Sequence, residues 1–456
     1  MRGVGASRLR EVIVTWLGHA QLFINAAGKT LLLDPWFAEP VFGGAWFRYP
    51  PPPYPVSSTL PPPSFLLLSH IHPDHSGPRT LAQLNPDTPT LAMPFPSGAL
   101  ARRLKRAQFT DVRWLAPWKT VEISEGLKVT FVPHDRGWEV SSIVVEADGV
   151  RLYHGNDNPL SLEGYREVVK RLGPIDLAFL PYAGASSYPT GFGGDAATMR
   201  ERCEKKKREG LLRFEEGIVG LAPKEAVPFA SSWALLEEGE IEKNFVDRPT
   251  ATEALASAML TAHEHGTHLL HLEPGDQWSP ETGGINKGLT AGWNNDVESV
   301  RRYASQEKER VSKAIGEARK PTRAVPTATL DAAVHAYFEE MIEAARPTLS
   351  ELAMKAGFVA EGGTATWRLR FTPGSAPQIE SRLLGDEDET LILPAGELWA
   401  IVTGPANWED VWYGYRLKVR KRAGAGYYRA FWEMLLNFDD ESTSERLAAR
   451  FPLPME

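Results

Sequence analysis

Cysteine is almost missing: Cys203 stands alone in 456 residues. One thiol permits no intramolecular disulfide, no thiolate zinc site and no iron–sulfur cluster held by this chain alone. Long apolar runs are missing too. Nothing approaches the roughly 18 uninterrupted apolar residues of a membrane span. After the polar, arginine-containing start, the first apolar stretch is broken by Gly18, His19 and Gln21, too soon for a signal peptide. The expectation is a cytoplasmic protein with no membrane span. Positive charge is in deficit, with 58 Asp+Glu against 50 Lys+Arg and a net charge of −8. That balance disfavours nucleic acid and leaves a small-molecule substrate as the expected partner. No serine–histidine–aspartate triad, phosphate-cradling glycine loop, dinucleotide fingerprint or internal repeat stands out.

What is present is ordinary globular composition, 43% hydrophobic and 24% charged, at a length that suggests two or three domains. From Val12 to Pro35 the pattern reads as a β-meander. Residues 36 to 63 form a proline-rich loop whose aromatics, Trp36 among them, either wall a pocket or pack the loop down. Short apolar strands at Phe65 to Leu68, Val129 to Val132, Ser141 to Glu146, Val150 to Tyr153 and Leu177 to Leu180 alternate with helical stretches. This is the α/β pattern. A long helix is expected over Asn294 to Arg319, and Pro321 to Pro326 marks a boundary. The expected organisation is a metal-binding domain over 1–285, a helical linker over 286–326 and a small α/β unit over 327–456.

The chemistry concentrates in His70-x-His72-x-Asp74-His75, four metal-ligating side chains within six residues at the end of a buried strand. Neutral imidazoles with a carboxylate, and no thiolate, suit zinc, iron or manganese. His134 and Asp157 each close a later strand and fit the same site. His19, His154 and Asp135 are candidates for orienting the ligands through hydrogen bonds. Of the later histidines in this region, His263, His265, His268 and His271 flank what reads as its final strand; a structural role is expected for them, with a substitute metal ligand as the alternative.

These residues resemble the metallo-β-lactamase fold family, over roughly residues 12 to 280. The opening Thr15-Trp16-Leu17-Gly18-His19-Ala20 and the Leu33-Asp34-Pro35 step are similar to the branch that contains ascorbate-6-phosphate lactonase and N-acyl-phosphatidylethanolamine phospholipase D. The resemblance implies a four-layer αβ/βα sandwich with one or two divalent metal ions at one sheet edge. It assigns His70, His72 and His134 to one metal, Asp74 and His75 to a second, and Asp157 to the bridge. It also places Ala230 where the family has a last histidine, so a depleted second position is expected. The segment from Phe179 to Phe192, with Tyr182, Ser186 and Tyr188 as candidate pocket residues, is similar to the metallo-β-lactamase-like portion of the CMP-N-acetylneuraminate hydroxylases. The Rieske module of those enzymes has no counterpart here, since it needs two cysteines. The tail around Leu393 to Trp399 resembles a sterol-carrier-protein-like unit, which implies a binding groove or a homo-oligomer surface.

Two enzymatic readings follow, beside a non-enzymatic metal-stabilised scaffold. In the first, a metal-activated hydroxide attacks an ester, lactone, amide or phosphoester, with Asp74 and Asp157 as catalytic carboxylates. In the alternative, one or two iron ions carry out oxygen chemistry with electrons from a separate donor protein.

Overall fold

The computed structural model describes residues 12–319, 325–361, 365–404, 406–437, 447 and 450–451. The chain clusters into two compact units, one made of residues 1–41, 47–184 and 204–307, the other of 42–46, 185–203 and 308–456.

The first unit is built on two facing sheets. One has eight strands, in the spatial order Gly283–Ile285, Gln277–Ser279, Ile13–Gly18, Gln21–Ala26, Lys29–Leu33, Phe65–Leu68, Thr90–Ala92 and Val112–Trp114. The other has seven, in the order His268–Leu269, Glu225–Phe229, Leu177–Pro181, Val150–His154, Ser141–Ala147, Leu127–Pro133 and Val121–Ser124. Strand periodicity sorts the side chains. Leu31 and Leu33 point inward with Val14, Trp16, Ile24 and Leu67 to meet Val129, Phe131, Ile143, Phe179 and Phe229 of the other sheet. Leu32, Leu66 and Leu68 point outward under the helical residues Leu81, Leu100 and Leu104. On the far side Val144, Tyr153, Ala178 and Leu180 lie under Tyr165, Val168, Phe214, Ile218, Ala254 and Ala258. The layers are therefore helix, sheet, sheet, helix: the αβ/βα sandwich and the α/β class expected from the sequence.

Of the two readings open for the proline-rich loop, its residues in this unit follow the second, with Trp36, Phe37, Phe47 and Tyr49 packed down and buried. Other details differ from the expectation. The strand His268–Leu269 is followed by two more, Gln277–Ser279 and Gly283–Ile285, so it is not the last strand of the unit. The long helix expected over Asn294 to Arg319 is two, Val297–Gln306 and Lys308–Ala318. The helix Ala251–Glu264, capped by a reciprocal Thr250–Glu253 pair, has no counterpart in the sequence reading.

The second unit holds a five-stranded sheet in the order Gln378–Glu380, Thr366–Phe371, Met354–Glu361, Glu389–Pro394 and Lys418–Lys421. It packs on the helices Thr327–Ala344, Ala395–Thr403 and Arg429–Asn437 around Tyr337, Phe338, Phe358, Trp367 and Phe431. No helix among the described residues is long and apolar enough to cross a membrane.

Candidate metal centre

Loops from both sheets converge at one end of the sandwich. Asp34 follows the strand Lys29–Leu33, Ser69 and His70 follow its parallel neighbour Phe65–Leu68, and Asp157 follows Val150–His154. Ser141 Oγ donates to the Ser69 carbonyl at 2.8 Å and joins the two sheets at this end. The non-glycine residues His19, Asp34, Asn156 and Ala230 all have left-handed backbones, with φ of 50°, 43°, 38° and 61°. Such conformations cost roughly 1–3 kcal/mol each and persist where the surroundings hold them for a function.

The hydrogen bonds settle which imidazole nitrogens face inward. Asp34 is fully buried, and its Oδ2 accepts the Ser69 hydroxyl at 2.6 Å and the His75 Nδ1–H at 3.0 Å. Because the Ser69 hydroxyl hydrogen points at Asp34, its oxygen is left to accept from His70 Nδ1–H at 2.8 Å. One carboxylate thereby fixes both rings with Nε2 turned into the site, the arrangement that orients metal-ligating histidines. His70 Nε2 lies 2.8 Å from His72 Nδ1. His75 Nε2 lies 3.5 Å from Asp74 Oδ2 and 3.4 Å from Asp157 Oδ2.

Two donor groups result. His70, His72 and Asp157 form one, and His19, Asp74, His75 and Asp157 the other, with the ligand atoms of each within 4.8 Å of one another. The cluster is thus able to hold metal ions. Asp74 Oδ1 and His75 Nε2 are buried with no hydrogen-bond partner, a costly state that a cation relieves. Most of the cluster is enclosed, whereas the Asp157 side chain is 33% exposed and His72 is half-buried, so the site opens on that side.

The electrostatics agree with a ligand set. Burial, reinforced by the neighbouring imidazoles, pushes His70 well below the ordinary histidine value. Burial holds His72 down to about 4. Burial opposes ionisation of Asp74, but the His75 charge and the His19 hydrogen bond outweigh it and bring Asp74 down to about 2. Burial likewise opposes the charge on His75, yet Asp74 and Asp157 raise it well above its ordinary value.

Other expected site residues have different surroundings. His134 stands outside both donor groups; its Nδ1 accepts the Arg136 amide at 3.0 Å, which puts the ring proton on Nε2. Asp135 accepts the Ser161 amide at 2.8 Å and the Ser161 hydroxyl, and so ties its turn to the helix Leu162–Leu172. His154 Nε2–H donates to the Ala20 carbonyl at 2.7 Å. Trp36 is fully buried and meets the His19 ring edge-on, so it backs the site rather than lining its mouth. Tyr182 is buried in the first unit, with a hydrogen bond to Ser231. Ser186 and Tyr188 belong to the second unit, where the Ser186 hydroxyl donates to the Tyr188 carbonyl at 3.1 Å and the Tyr188 ring meets Phe192. His263, His265, His268 and His271 join neither donor group. Asp34 and Ser69 are not singled out from the sequence, although Asp34 carries the signal that marks His70 and Asp157: a polar residue closing a short apolar strand.

Residues 29–211 match the family model of the beta-lactamase superfamily domain. This segment is a β-lactamase superfamily domain. The match includes His70, His72, Asp74, His75, His134 and Asp157, and stops short of His19 on one side and Ala230 on the other. Against curated proteins, the chain is similar to cytidine monophosphate-N-acetylneuraminic acid hydroxylase of Xenopus laevis, 25% identical over 285 residues, covering 60% of this chain and 46% of the relative. The chain spans less than half the length of the first curated relatives it matches. Among solved structures, Igni18, a metallo hydrolase from Ignicoccus hospitalis, aligns at 16% identity and a TM-score of 0.38, covering 59% of this chain and 97% of that one. CmlA, a diiron β-hydroxylase from Streptomyces venezuelae, aligns at 18% identity and a TM-score of 0.40, covering 59% and 54%.

Proposed function

We propose that this protein is a metal-dependent hydrolase whose site holds two divalent cations on either side of Asp157. The carrying observation is that the two donor groups share this one carboxylate. His70 and His72 would hold the first cation, Asp74 and His75 the second, with His134 a further ligand of the first if the turn to Arg136 yields. Bound there, divalent cations supply Lewis acidity, which makes water nucleophilic near neutral pH and polarises a carbonyl or phosphoryl oxygen.

The chain's own residues do the rest. Asp34 holds His75, and through Ser69 also His70, in one tautomer. Asp74, brought down to about 2, stays ionised and serves as ligand rather than proton acceptor. Asp157, shared by both donor groups and 33% exposed, would be held between the two cations on the side from which substrate and water enter.

A second reading is supported by the likeness to the cytidine monophosphate-N-acetylneuraminic acid hydroxylase. In it the same ligands hold iron for oxygen-dependent oxidation, and electrons come from a separate donor protein, because one cysteine cannot anchor a cluster. Zinc-loaded and iron-loaded protein should be compared on ester, lactone, amide and phosphodiester panels with oxygen uptake followed in parallel. Turnover of one class by the zinc protein without oxygen is the expected result. Turnover confined to the iron protein, with oxygen consumed, would establish the second reading instead.

A further inference from the structure

We infer that His19 is itself a ligand of the second metal position, completing a set of two imidazoles and two carboxylates, and that His154 is its positioning residue. This rests on the reading of the cluster as a metal centre and goes further by adding a ligand from outside the segment that matches the superfamily model.

The geometry carries it. His19 Nε2 is 2.8 Å from Asp74 Oδ2, the oxygen that also faces His75 Nε2 at 3.5 Å. His75 Nε2 in turn is 3.4 Å from Asp157 Oδ2. Two imidazole nitrogens and two carboxylate oxygens therefore surround one space. A hydrogen bond from His19 to Asp74 serves that oxygen alone and leaves Asp74 Oδ1 and His75 Nε2 buried without hydrogen-bond partners. A cation in the common space engages both imidazoles and both carboxylates at once. The donor set also answers the composition of the opposite loop, where Ala230 offers only a methyl group.

The turn that presents His19 is built for placement. Its φ of 50° is disfavoured for any residue with a β-carbon. Three contacts hold it there. The Trp16 indole N–H donates to the His19 carbonyl at 2.9 Å, His154 donates to the neighbouring Ala20 carbonyl at 2.7 Å, and the Trp36 ring stands edge-on to the imidazole at 5.3 Å. Gly18 and His19 thus put a buried imidazole, 1% exposed, where a loose turn would leave it in solvent. His154 itself stands outside both donor groups, with its Nε2–H turned to the Ala20 carbonyl.

The test uses full-length protein stripped of metal and reloaded with cobalt(II), measuring cobalt bound per chain and, by X-ray absorption, the number of imidazoles around it. His19→Ala should keep the first position and lose the second, with affinity there down at least ~100-fold and a lower imidazole count. His154→Phe should keep both metals with second-position affinity lowered about 10–100-fold, the range for residues that orient ligands. His19→Gln, which retains a hydrogen-bond donor to Asp74, should behave as His19→Ala does. Wild-type loading and an unchanged imidazole count in His19→Gln would overturn the inference, because His19 would then act on Asp74 alone. Wild-type protein that binds fewer than two cobalt ions would instead overturn the two-metal reading on which the inference rests.

Discussion

At the scale of single residues, Asp34 has the widest reach. It touches no expected ligand atom, yet its Oδ2 accepts from His75 directly and from Ser69, whose oxygen in turn accepts from His70. Replacing it by Asn keeps the volume but offers an N–H where an acceptor is needed. Asp34→Asn should therefore lower metal affinity at both positions, by about 10–100-fold each, with the fold intact; calorimetric metal titration beside circular dichroism checks this. The protonation states give a second expectation. His70 and His72 are held low and are neutral at pH 6, so protons do not compete there. His75 is raised, and in metal-free protein it carries a proton that the second cation must displace. Second-position affinity should rise with pH from 6 to 8 while first-position affinity stays nearly flat. Titrations in buffers of different ionisation enthalpy would show one proton released with the second metal and none with the first. The same raised value means that protonated His75 stabilises metal-free protein below its unfolded pKa, and that this contribution is lost as pH rises through the folded one.

Among the elements, the loop after Val150–His154 carries the shared carboxylate and is tied down residue by residue. Gly155 N–H donates to the Phe179 carbonyl at 2.8 Å. The Asn156 side chain donates to the Ser141 carbonyl at 2.7 Å, and Asn158 donates to Ser142 Oγ at 2.9 Å. A β-carbon at Gly155 would stand 2.5 Å from the Phe179 oxygen and 2.9 Å from Pro181 Cδ. Gly155→Ala should destabilise the first unit by about 1–3 kcal/mol and weaken both metal positions together; denaturant unfolding and metal titration read the two effects. The strands that frame this loop were legible because their runs are short, largely apolar and closed by polar residues: Val150–His154 and Leu177–Pro181 each end one residue beyond the expected bound, and Phe65–Leu68 has the expected bounds. The three-residue strands Thr90–Ala92 and Val112–Trp114 were not, since so few residues carry no readable period. Ala251–Glu264 escaped for another reason: its buried stripe is alanine, which contrasts little with its surroundings.

For the whole molecule, two sheets meeting at one end bring together residues from position 19 to position 157. The tight motif from His70 to His75 was readable because its ligands are neighbours in sequence. His19 read only as a candidate for orienting a ligand through a hydrogen bond, because pairing of Ile13–Gly18 with Gln21–Ala26 and a left-handed turn are what bring its ring to Asp74. His134 shows the converse, a strand-end histidine whose Nδ1 accepts a local hydrogen bond from the Arg136 amide. The second unit also draws on 42–46 and 185–203, segments remote in sequence from 308–456, which composition and periodicity cannot assign to it. The central claim is a two-metal centre around Asp157, and anomalous diffraction from crystals grown with a divalent transition metal tests it most directly. Two peaks flanking Asp157, one beside His70 and His72 and the other beside Asp74 and His75, are the expected result. A single peak, or peaks away from Asp157, would contradict it.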